Sequence, residues 1–456
     1  MNDSVSENVI LVDEGILSLP EITPKMKILL LLISAFGTSA RMIGRMFVEM
    51  YSVVIGSSKT ALSLITSIRN LIQLAFQSSF GRISDFLGRK TLILIGLFGG
   101  GISLALFPFI KNQWILVVGV FIFSLCFAIY NPSFTALVGD LTKKENRAGL
   151  FSLLTLSGSL ASFIGLIAVG GLTDLIQPQL TYYNYTDLTS FGSQLLSIIK
   201  FSSGIESDFL SVFQHNQYSL VLYLAACLFI ITGIISILLK EPPTEKLQER
   251  SVISFTPLRE NKRFRRFVIV GSSMGFVMSL GWPIFPFVRV NYASAQENTW
   301  IWATFSIVMM LTLLITRPFI DKMKRKWTLY IGRFLMFLIP LNLAITAMYL
   351  PYWWFMAIGG GISGFGNAFY MVAESSYILD CAPEKEKGTY TGLFYLFMGI
   401  TTFLGSLISG VLADVTEHLI GEYRTIVLFL WIITGARFVM AFGFLFLKEP
   451  MNTKNS

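Results

Sequence analysis

The chain has 456 residues, of which 54% are hydrophobic and only 14% are charged. Soluble globular domains carry roughly 25% charged residues, so this composition excludes an ordinary soluble protein and indicates a polytopic membrane protein. The formal net charge of +8 then has to be explained by where the basic residues lie.

The chain begins with an acidic tail over residues 1–26, which we expect to be cytoplasmic. Its first 24 residues contain five acidic side chains and no lysine or arginine. A secretory signal needs a basic start before its apolar core. We therefore interpret this segment as a tail rather than a cleaved leader.

Twelve apolar runs follow, and each is long enough to cross a bilayer. A hydrocarbon core of about 30 Å needs roughly 20 helical residues. Only helices or closed barrels satisfy their backbone in lipid, and runs this long and uniform predict an all-α membrane protein. The predicted spans are 27–56, 60–80, 91–110, 113–138, 148–173, 218–239, 266–288, 298–316, 327–350, 352–379, 389–413 and 424–447.

A polar, proline-containing linker divides the spans into two halves. We expect an N-terminal six-helix bundle over 27–239, a cytoplasmic linker over 240–265, a C-terminal six-helix bundle over 266–447 and a cytoplasmic tail over 448–456. The outside loop over 174–217 contains short apolar runs near helical period and the weak glycosylation sequon Asn184-Tyr185-Thr186. We interpret this loop as a structural cap rather than a binding device.

The lysines and arginines fix the expected orientation. With both termini in the cytoplasm, 25 of the 35 basic residues fall in cytoplasmic segments, as the positive-inside rule requires of a plasma-membrane protein. Such charge contacts anionic lipid headgroups, so no nucleic-acid partner is expected. The remaining basic residues are Lys59, Lys111, Lys200, Arg289 and Arg424 outside, and Arg41, Arg45, Arg69, Arg333 and Arg437 within spans.

Two basic loops recur at a constant offset of 236 residues, once in each half. The first is GRISDFLGRK at 81–90 and the second is RPFIDKMKRK at 317–326. Their superposition pairs Asp85 with Asp321, Arg89 with Arg325 and Lys90 with Lys326. Such a repeat between membrane spans indicates a duplicated helical carrier.

The first loop is predicted to gate the cytoplasmic side. Gly81 and Gly88 bracket a tight connection, and Asp85 can be stabilised by the N-terminal end of a neighbouring helix or by a basic partner. Such a contact could latch the two halves together and break when they rock. The alternative is a loop that only fixes topology. The second copy keeps the charges but loses both glycines.

This loop resembles the signature of the major facilitator superfamily, G-x-x-x-D-x-x-G-R-K. The resemblance extends over essentially the whole chain, because it includes the NPSFTALVGDL sequence at the end of span 4, the second basic loop and the twelve spans. The resemblance implies two six-helix bundles around a central cavity that opens alternately to either side, lined by spans 1, 4, 7 and 10. The segment 157–171 of span 5 departs from the proline-containing motif of proton-coupled exporters, which weakens the antiporter interpretation.

Charged side chains inside the spans are the strongest candidates for functional residues. Inserting each of them into the membrane costs about 2.5–3.5 kcal/mol even on the scale that gives the lowest values. Arg41, Arg45 and Glu49 lie at four-residue steps on span 1, within an arc of about 80°. Arg69 lies near the middle of span 2. These residues predict a site for an organic anion or zwitterion, with Glu49 tuning or closing it. The alternative is an internal ion pair between Glu49 and Arg45.

Two further features are predicted with open alternatives. Glu374 on span 10 could bind a coupling proton because burial disfavours a charged carboxylate, or it could pair with Arg333; Glu49 is a second coupling candidate. Trp282, Pro283 and Pro286 break span 7 near its outer end, as an outer gate or as a static kink.

A catalytic function has almost no residues to support it. The sequence has no phosphate-binding P-loop motif, and both of its histidines, His215 and His418, fall outside the predicted spans. The three cysteines are too widely spaced to suggest a disulfide framework or a metal site. We predict a secondary active transporter rather than an enzyme, with no cofactor. Multidrug or metabolite efflux by proton antiport and a non-transporting membrane sensor are the alternatives. Its expected partners are a small solute, protons and the bilayer, and we expect a monomer.

Overall fold

The computed structural model describes residues 23–142, 144–176, 218–239, 255–316, 323–383 and 386–449. These residues are almost entirely α-helical, and they contain no strand. The helices are α1 (Pro24–Val54), α2 (Lys59–Leu87), α3 (Arg89–Leu106), α4 (Gln113–Leu141), α5 (Lys144–Ile176), α6 (Ser219–Ile237), α7 (Thr256–Glu260), α8 (Lys262–Ser279), α9 (Phe285–Tyr292), α10 (Ala295–Thr316), α11 (Arg325–Phe334), α12 (Leu338–Met348), α13 (Trp353–Cys381), α14 (Lys387–Ile420) and α15 (Glu422–Ala441).

The all-α membrane class is confirmed. Among the described residues, nine helical segments are long and apolar enough to cross a membrane. Three other predicted spans, numbers 2, 7 and 10, coincide with α2, with α8 and α9, and with α13. These helices carry the charged residues Arg69, Arg289 and Glu374, so they are less apolar than a helix that only faces lipid. The count of twelve spans stays a prediction.

The described helices pack in two sets. In the first, α1 lies against α5 and α6, and α3 lies against α4 and α6. In the second, α8 packs on α14, α10 on α13, and α12 on α15. Three helix pairs join the sets: α2 against α14, α5 against α10, and, over a smaller area, α1 against α9. The exact limits predicted for the two halves stay a prediction.

The contact between α2 and α14 is close enough to require a glycine. A Cβ atom on Gly410 would lie 2.6 Å from the carbonyl oxygen of Lys59 and 2.5 Å from the Cβ of Ser63. Farther along the same contact, the hydroxyls of Thr66 and Ser406 lie 3.1 Å apart. Small and hydroxylated residues therefore let these helices approach, as is usual between helices in membranes.

The predicted break in span 7 is confirmed. Helix α8 ends at Ser279 and α9 begins at Phe285. Pro283 lacks the N–H that would bond the Ser279 carbonyl in a continuous helix, and the N–H of Trp282 donates to that carbonyl instead, at 3.1 Å. Pro286 lies in the first turn of α9, where a missing N–H costs no hydrogen bond.

Span 9 is also broken, which the sequence analysis missed. Helix α11 ends at Phe334, a 3-10 turn covers Leu335–Phe337, and α12 begins at Leu338. The physical reason is Pro340, whose missing N–H would bond the carbonyl of Met336 in a continuous helix.

Arg437 joins both breaks. Its Nη1 donates to the Met336 carbonyl at 3.1 Å, and its Nη2 donates to the Met278 carbonyl at 2.6 Å. The guanidinium also lies 5.1 Å from the ring centroid of Phe285, the first residue of α9. This side chain is 1% exposed, so it supplies donors where the broken helices have none of their own.

Candidate functional site

Three of the arginines within spans line a cavity inside the first set of helices: Arg41 and Arg45 on α1, and Arg69 on α2. Their role in binding a substrate stays a prediction. Phe123, Ser124 and Phe127 of α4 form much of the remaining wall. The space between these side chains measures about 400 Å³ when the part open to solvent is included.

Glu49 is paired across helices rather than along its own. Its Oε1 accepts a hydrogen bond from Nη2 of Arg69 at 2.6 Å. Both side chains are buried, with about a tenth of each exposed. Among the described residues, the ion pairs of Glu49 are with Arg69 and Arg289, so the alternative pairing with Arg45 on α1 is not observed.

Arg289, which follows the predicted limit of span 7 at residue 288, also contacts Glu49, and the sequence did not predict this contact. It lies on α9, and its Nη2 is 4.0 Å from Oε2 of Glu49. Its guanidinium lies 5.2 Å from the ring centroid of Trp302, and only 11% of the side chain is exposed. A signal was available: the prolines of span 7 restart a helix whose first two turns carry Arg289.

Arg41 and Arg45 are not neutralised by any described carboxylate within 4 Å. The guanidinium of Arg41 instead lies 5.0 Å from the ring centroid of Phe127, a cation–π distance. Arg45 is within Coulombic range of Arg41, Arg69, Arg289 and Glu49. The site therefore holds four guanidinium groups and one carboxylate, so its field is strongly positive.

Glu374 belongs to a second polar group, on α13. The hydroxyl of Tyr370 donates to its Oε1 at 3.0 Å, and the guanidinium of Arg333 lies 3.2 Å from the ring centroid of Tyr370. A direct ion pair between Arg333 and Glu374, which was one predicted alternative, is not among the contacts of the described residues. Tyr370 thus separates the carboxylate from the cation.

The connection between α2 and α3 is a single glycine. Gly88 has a φ of 90°, a left-handed conformation that side-chain-bearing residues rarely adopt. The next residue, Arg89, forms an ion pair with Asp140 at the end of α4. Lys90 follows it in the first turn of α3. The backbones of Gly81 and Asp85 belong to α2. The side chain of Asp85 and the whole of Asp321 lie outside the described residues. Their gating role stays a prediction.

The second half repeats this ion pair. Arg325, which the sequence aligns with Arg89, lies at the start of α11, and its Nε is 3.5 Å from Oδ2 of Asp380. Asp380 is near the end of α13, as Asp140 is near the end of α4. The internal duplication predicted from the basic loops therefore extends to the partners of their arginines.

A charged clasp joins the two sets of helices at the start of α2, the end that the charge distribution predicts to face outside. We define the clasp as Lys59, Asp414, Glu417 and Glu422. Asp414 accepts the N–H of Lys59 and that of Thr60, each at 2.8 Å. The Lys59 ammonium contacts Glu417 and lies 3.8 Å from Glu422. A carboxylate of α14 thus caps the N-terminus of α2.

Comparisons with known proteins agree with this architecture. The family model described as Major Facilitator Superfamily matches residues 29–282 and 267–456. A curated relative from Bacillus subtilis (strain 168), called an uncharacterized MFS-type transporter, YqjV, is 29% identical over 119 residues, which cover 26% of this chain and 29% of that protein.

A second curated relative is the multidrug resistance protein MdtH of Yersinia enterocolitica serotype O:8 / biotype 1B. It is 29% identical over 111 residues, or 24% of this chain and 28% of that protein. This chain therefore spans less than a third of the length of either relative.

Two solved structures share the fold over nearly their whole length. A mutant of the nucleoside transporter NupG has a TM-score of 0.71 at 16% identity and covers 93% of this chain and 100% of its own. A bacterial homolog of the human lysosomal transporter Spinster, inward-facing and occupied, has a TM-score of 0.67 at 15% identity and covers 94% and 98%. At these identities the likeness shows the fold alone.

Proposed function

This chain belongs to the Major Facilitator Superfamily, and we propose that it is a secondary active transporter that carries a small organic anion by alternating access. Membership of this family makes the chain a multi-pass membrane protein. We further propose that both termini lie in the cytoplasm of a plasma-membrane protein, as the distribution of lysine and arginine favours.

The observation that carries the proposal is the charge imbalance of the cavity. Arg41, Arg45 and Arg69 line the cavity, and Arg289 lies beside Glu49. Among the described residues, Glu49 is the only carboxylate paired with any of these four arginines. Buried guanidinium groups without partners are costly in a membrane, so an anion that entered would be bound favourably. Their planar forks suit carboxylate geometry, and the surplus of positive charge disfavours the ammonium group of a zwitterion.

Multidrug efflux is the second candidate, because MdtH is among the curated relatives. Its matched stretch is short, and the antiporter motif of span 5 is incomplete in this sequence. A cavity with a surplus of three positive charges would also repel a cationic drug. An anionic drug would fit both candidates, so the class of substrate is a better discriminator than the direction of transport.

Proton coupling would need a carboxylate that can change its protonation state. We propose Glu374 for this role, with Glu49 as the other candidate. Glu374 is 8% exposed and hydrogen-bonded to Tyr370, and burial favours the neutral form of such a group. Arg333, beyond the same tyrosine ring, can restrain that preference without forming a direct pair.

Counterflow in proteoliposomes tests the proposed function. Vesicles loaded with an unlabelled organic anion should take up the radiolabelled one, tried with benzoate, phthalate and succinate. We expect the variant Arg41→Ala to lose this exchange and to stay folded, because no described carboxylate within 4 Å depends on Arg41 (size-exclusion profile as the control). Absence of exchange with every anion would favour the non-transporting sensor.

Alternating access also predicts an effect of the clasp. Asparagine at position 414 can accept a hydrogen bond from only one of the two N–H groups that now donate to Asp414. The Asp414→Asn variant should therefore lose about 1 kcal/mol of the free energy that keeps the clasp closed. This shifts the equilibrium toward the conformation open at this end about fivefold. Labelling of a Ser63→Cys reporter by an impermeant maleimide, in a background without Cys126, Cys227 and Cys381, should accelerate accordingly.

The matched control for the clasp is Glu422→Gln. Glu422 is half-exposed and 3.8 Å from the Lys59 ammonium, so it should change the labelling rate little. An equal rate in the Asp414→Asn variant and the parent would mean that the clasp does not hold this end closed.

A further inference from the structure

Glu49 holds one arginine from each half of the chain. Arg69 reaches Oε1 from α2 at 2.6 Å, and Arg289 reaches the Oε2 side from α9 at 4.0 Å. The first arginine belongs to the N-terminal set of helices and the second to the C-terminal set. A carboxylate therefore already lies between two guanidinium groups, hydrogen-bonded to that of Arg69 and at ion-pair distance from that of Arg289.

Glu49 also has a third arginine within reach. Arg45 lies four residues earlier on α1, and side chains at this spacing are neighbours on a helix surface. Arg45 has no described carboxylate within 4 Å, and it feels the field of Glu49 and of the other arginines. A rotation of the Glu49 side chain toward Arg45 would keep its charge compensated.

We propose that Glu49 is an internal stand-in for the substrate, and that Arg69 and Arg289 form the subsite for the carboxylate of the substrate. The incoming carboxylate would take the place of Glu49 between these arginines, and Glu49 would turn to Arg45. No bond is made or broken and no proton is needed, because each carboxylate always has a guanidinium partner. This inference rests on the proposed function and names its substrate class, an organic carboxylate.

The surroundings indicate what the carboxylate is attached to. The cavity wall next to Arg69 is formed in part by Met42, Phe123 and Phe127, and the guanidinium of Arg289 lies on the ring of Trp302. Aromatic and aliphatic walls favour a ligand with an apolar body. Benzoate and phthalate are therefore suitable probes, and benzamide is a neutral control of nearly the same shape as benzoate.

The position of Glu49 between two arginines also explains how the positively charged cavity is stabilised when no ligand is bound. Without Glu49, Arg69 and Arg289 would face each other as like charges across the junction of the two halves. A bound carboxylate would make the same link. The proposal therefore predicts that Glu49 and the ligand compete for the same position between the two arginines. A substitution that weakens the contacts of Glu49 with these arginines should then strengthen ligand binding.

The test is the Kd of benzoate for purified full-length protein, by isothermal titration calorimetry. We expect Glu49→Gln to lower the Kd about tenfold or more, since one charge-assisted competitor is removed. Glu49→Asp should lower it several-fold, because its shorter side chain keeps the charge but cannot reach both arginines. Arg289→Gln should raise it about tenfold, and no variant should change the weak binding of benzamide.

The control variants and the opposite results separate the possible failures. Glu260→Gln and Arg424→Gln, at exposed positions, should behave as the parent. Tighter binding in Glu49→Gln with no change in Glu49→Asp would indicate a general field effect and overturn the stand-in. A Kd that ignores Glu49 and Arg289 would overturn this inference alone. Absence of benzoate and phthalate binding in the parent and in every variant would count against the proposed anion carrier itself.

Discussion

Replacing Arg69 by alanine is expected to abolish carboxylate binding and to lower the free energy of unfolding by about 3 kcal/mol. The guanidinium is 9% exposed and makes the closest contact to Glu49, at 2.6 Å. Its removal leaves a buried carboxylate with Arg289 as its nearest described cation, at 4.0 Å. The effect on folding thus differs from that of Arg41→Ala, which strands no described partner.

A double variant separates binding from folding. In Glu49→Gln with Arg69→Ala, the stranded carboxylate is gone, so most of the lost stability should return while binding stays absent. Unfolding by denaturing detergent in mixed micelles measures the first effect, and calorimetry with benzoate measures the second. Equal stability of Arg69→Ala and the parent, or retained binding in the double variant, would contradict the assignment of Arg69.

The architecture could be predicted because it rests on local signals. A run of about 20 apolar residues is sufficient for a membrane helix, and the two basic loops identify the repeat without knowledge of packing. The same holds for Pro283, since the missing N–H of a proline in a helix interior weakens the helix locally. Arg41, Arg45 and Glu49 were placed on one face by helical spacing alone.

The partners of these residues could not be predicted, because they depend on how helices rotate and meet. Glu49 has Arg45 one turn away, yet it pairs with Arg69 on another helix. A membrane helix is apolar toward lipid as well as toward its neighbours, so its periodicity does not reveal which face is inside. The contact of Arg289 with Glu49 was not predicted, because the predicted span 7 ends at residue 288 and its second short helix, α9, was not recognised.

Arg437 shows a different limit. A pattern of side chains in the sequence predicts contacts between side chains. Arg437 instead donates hydrogen bonds to two backbone carbonyls, those of Met278 and Met336, which the breaks in spans 7 and 9 leave without helical partners. Finding it from sequence would require knowing that the breaks of spans 7 and 9 lie at the depth of Arg437. The prolines of spans 7 and 9 and the arginine of span 12 come close together only in the folded protein.

The variant Arg437→Met is expected to loosen both breaks at once. Each carbonyl loses a hydrogen bond to a charged donor, worth about 1.5–3 kcal/mol, and no other donor is in place. Amide hydrogen exchange at 279–284 and at 335–340 should accelerate about tenfold or more. The global melting temperature is a poorer measure, because removal of an unpaired buried charge also relieves a desolvation penalty.

Matched variants make this test specific. Arg437→Lys keeps the charge but lacks the planar fork that serves two carbonyls together, so exchange should rise at one break more than at the other. Arg424→Met, at an exposed position of the same helix α15, should leave both segments unchanged. Because α9 carries Arg289 and begins at Phe285, against the Arg437 guanidinium, Arg437→Met should also weaken benzoate binding. Unchanged exchange at both breaks would show that Arg437 does not support them.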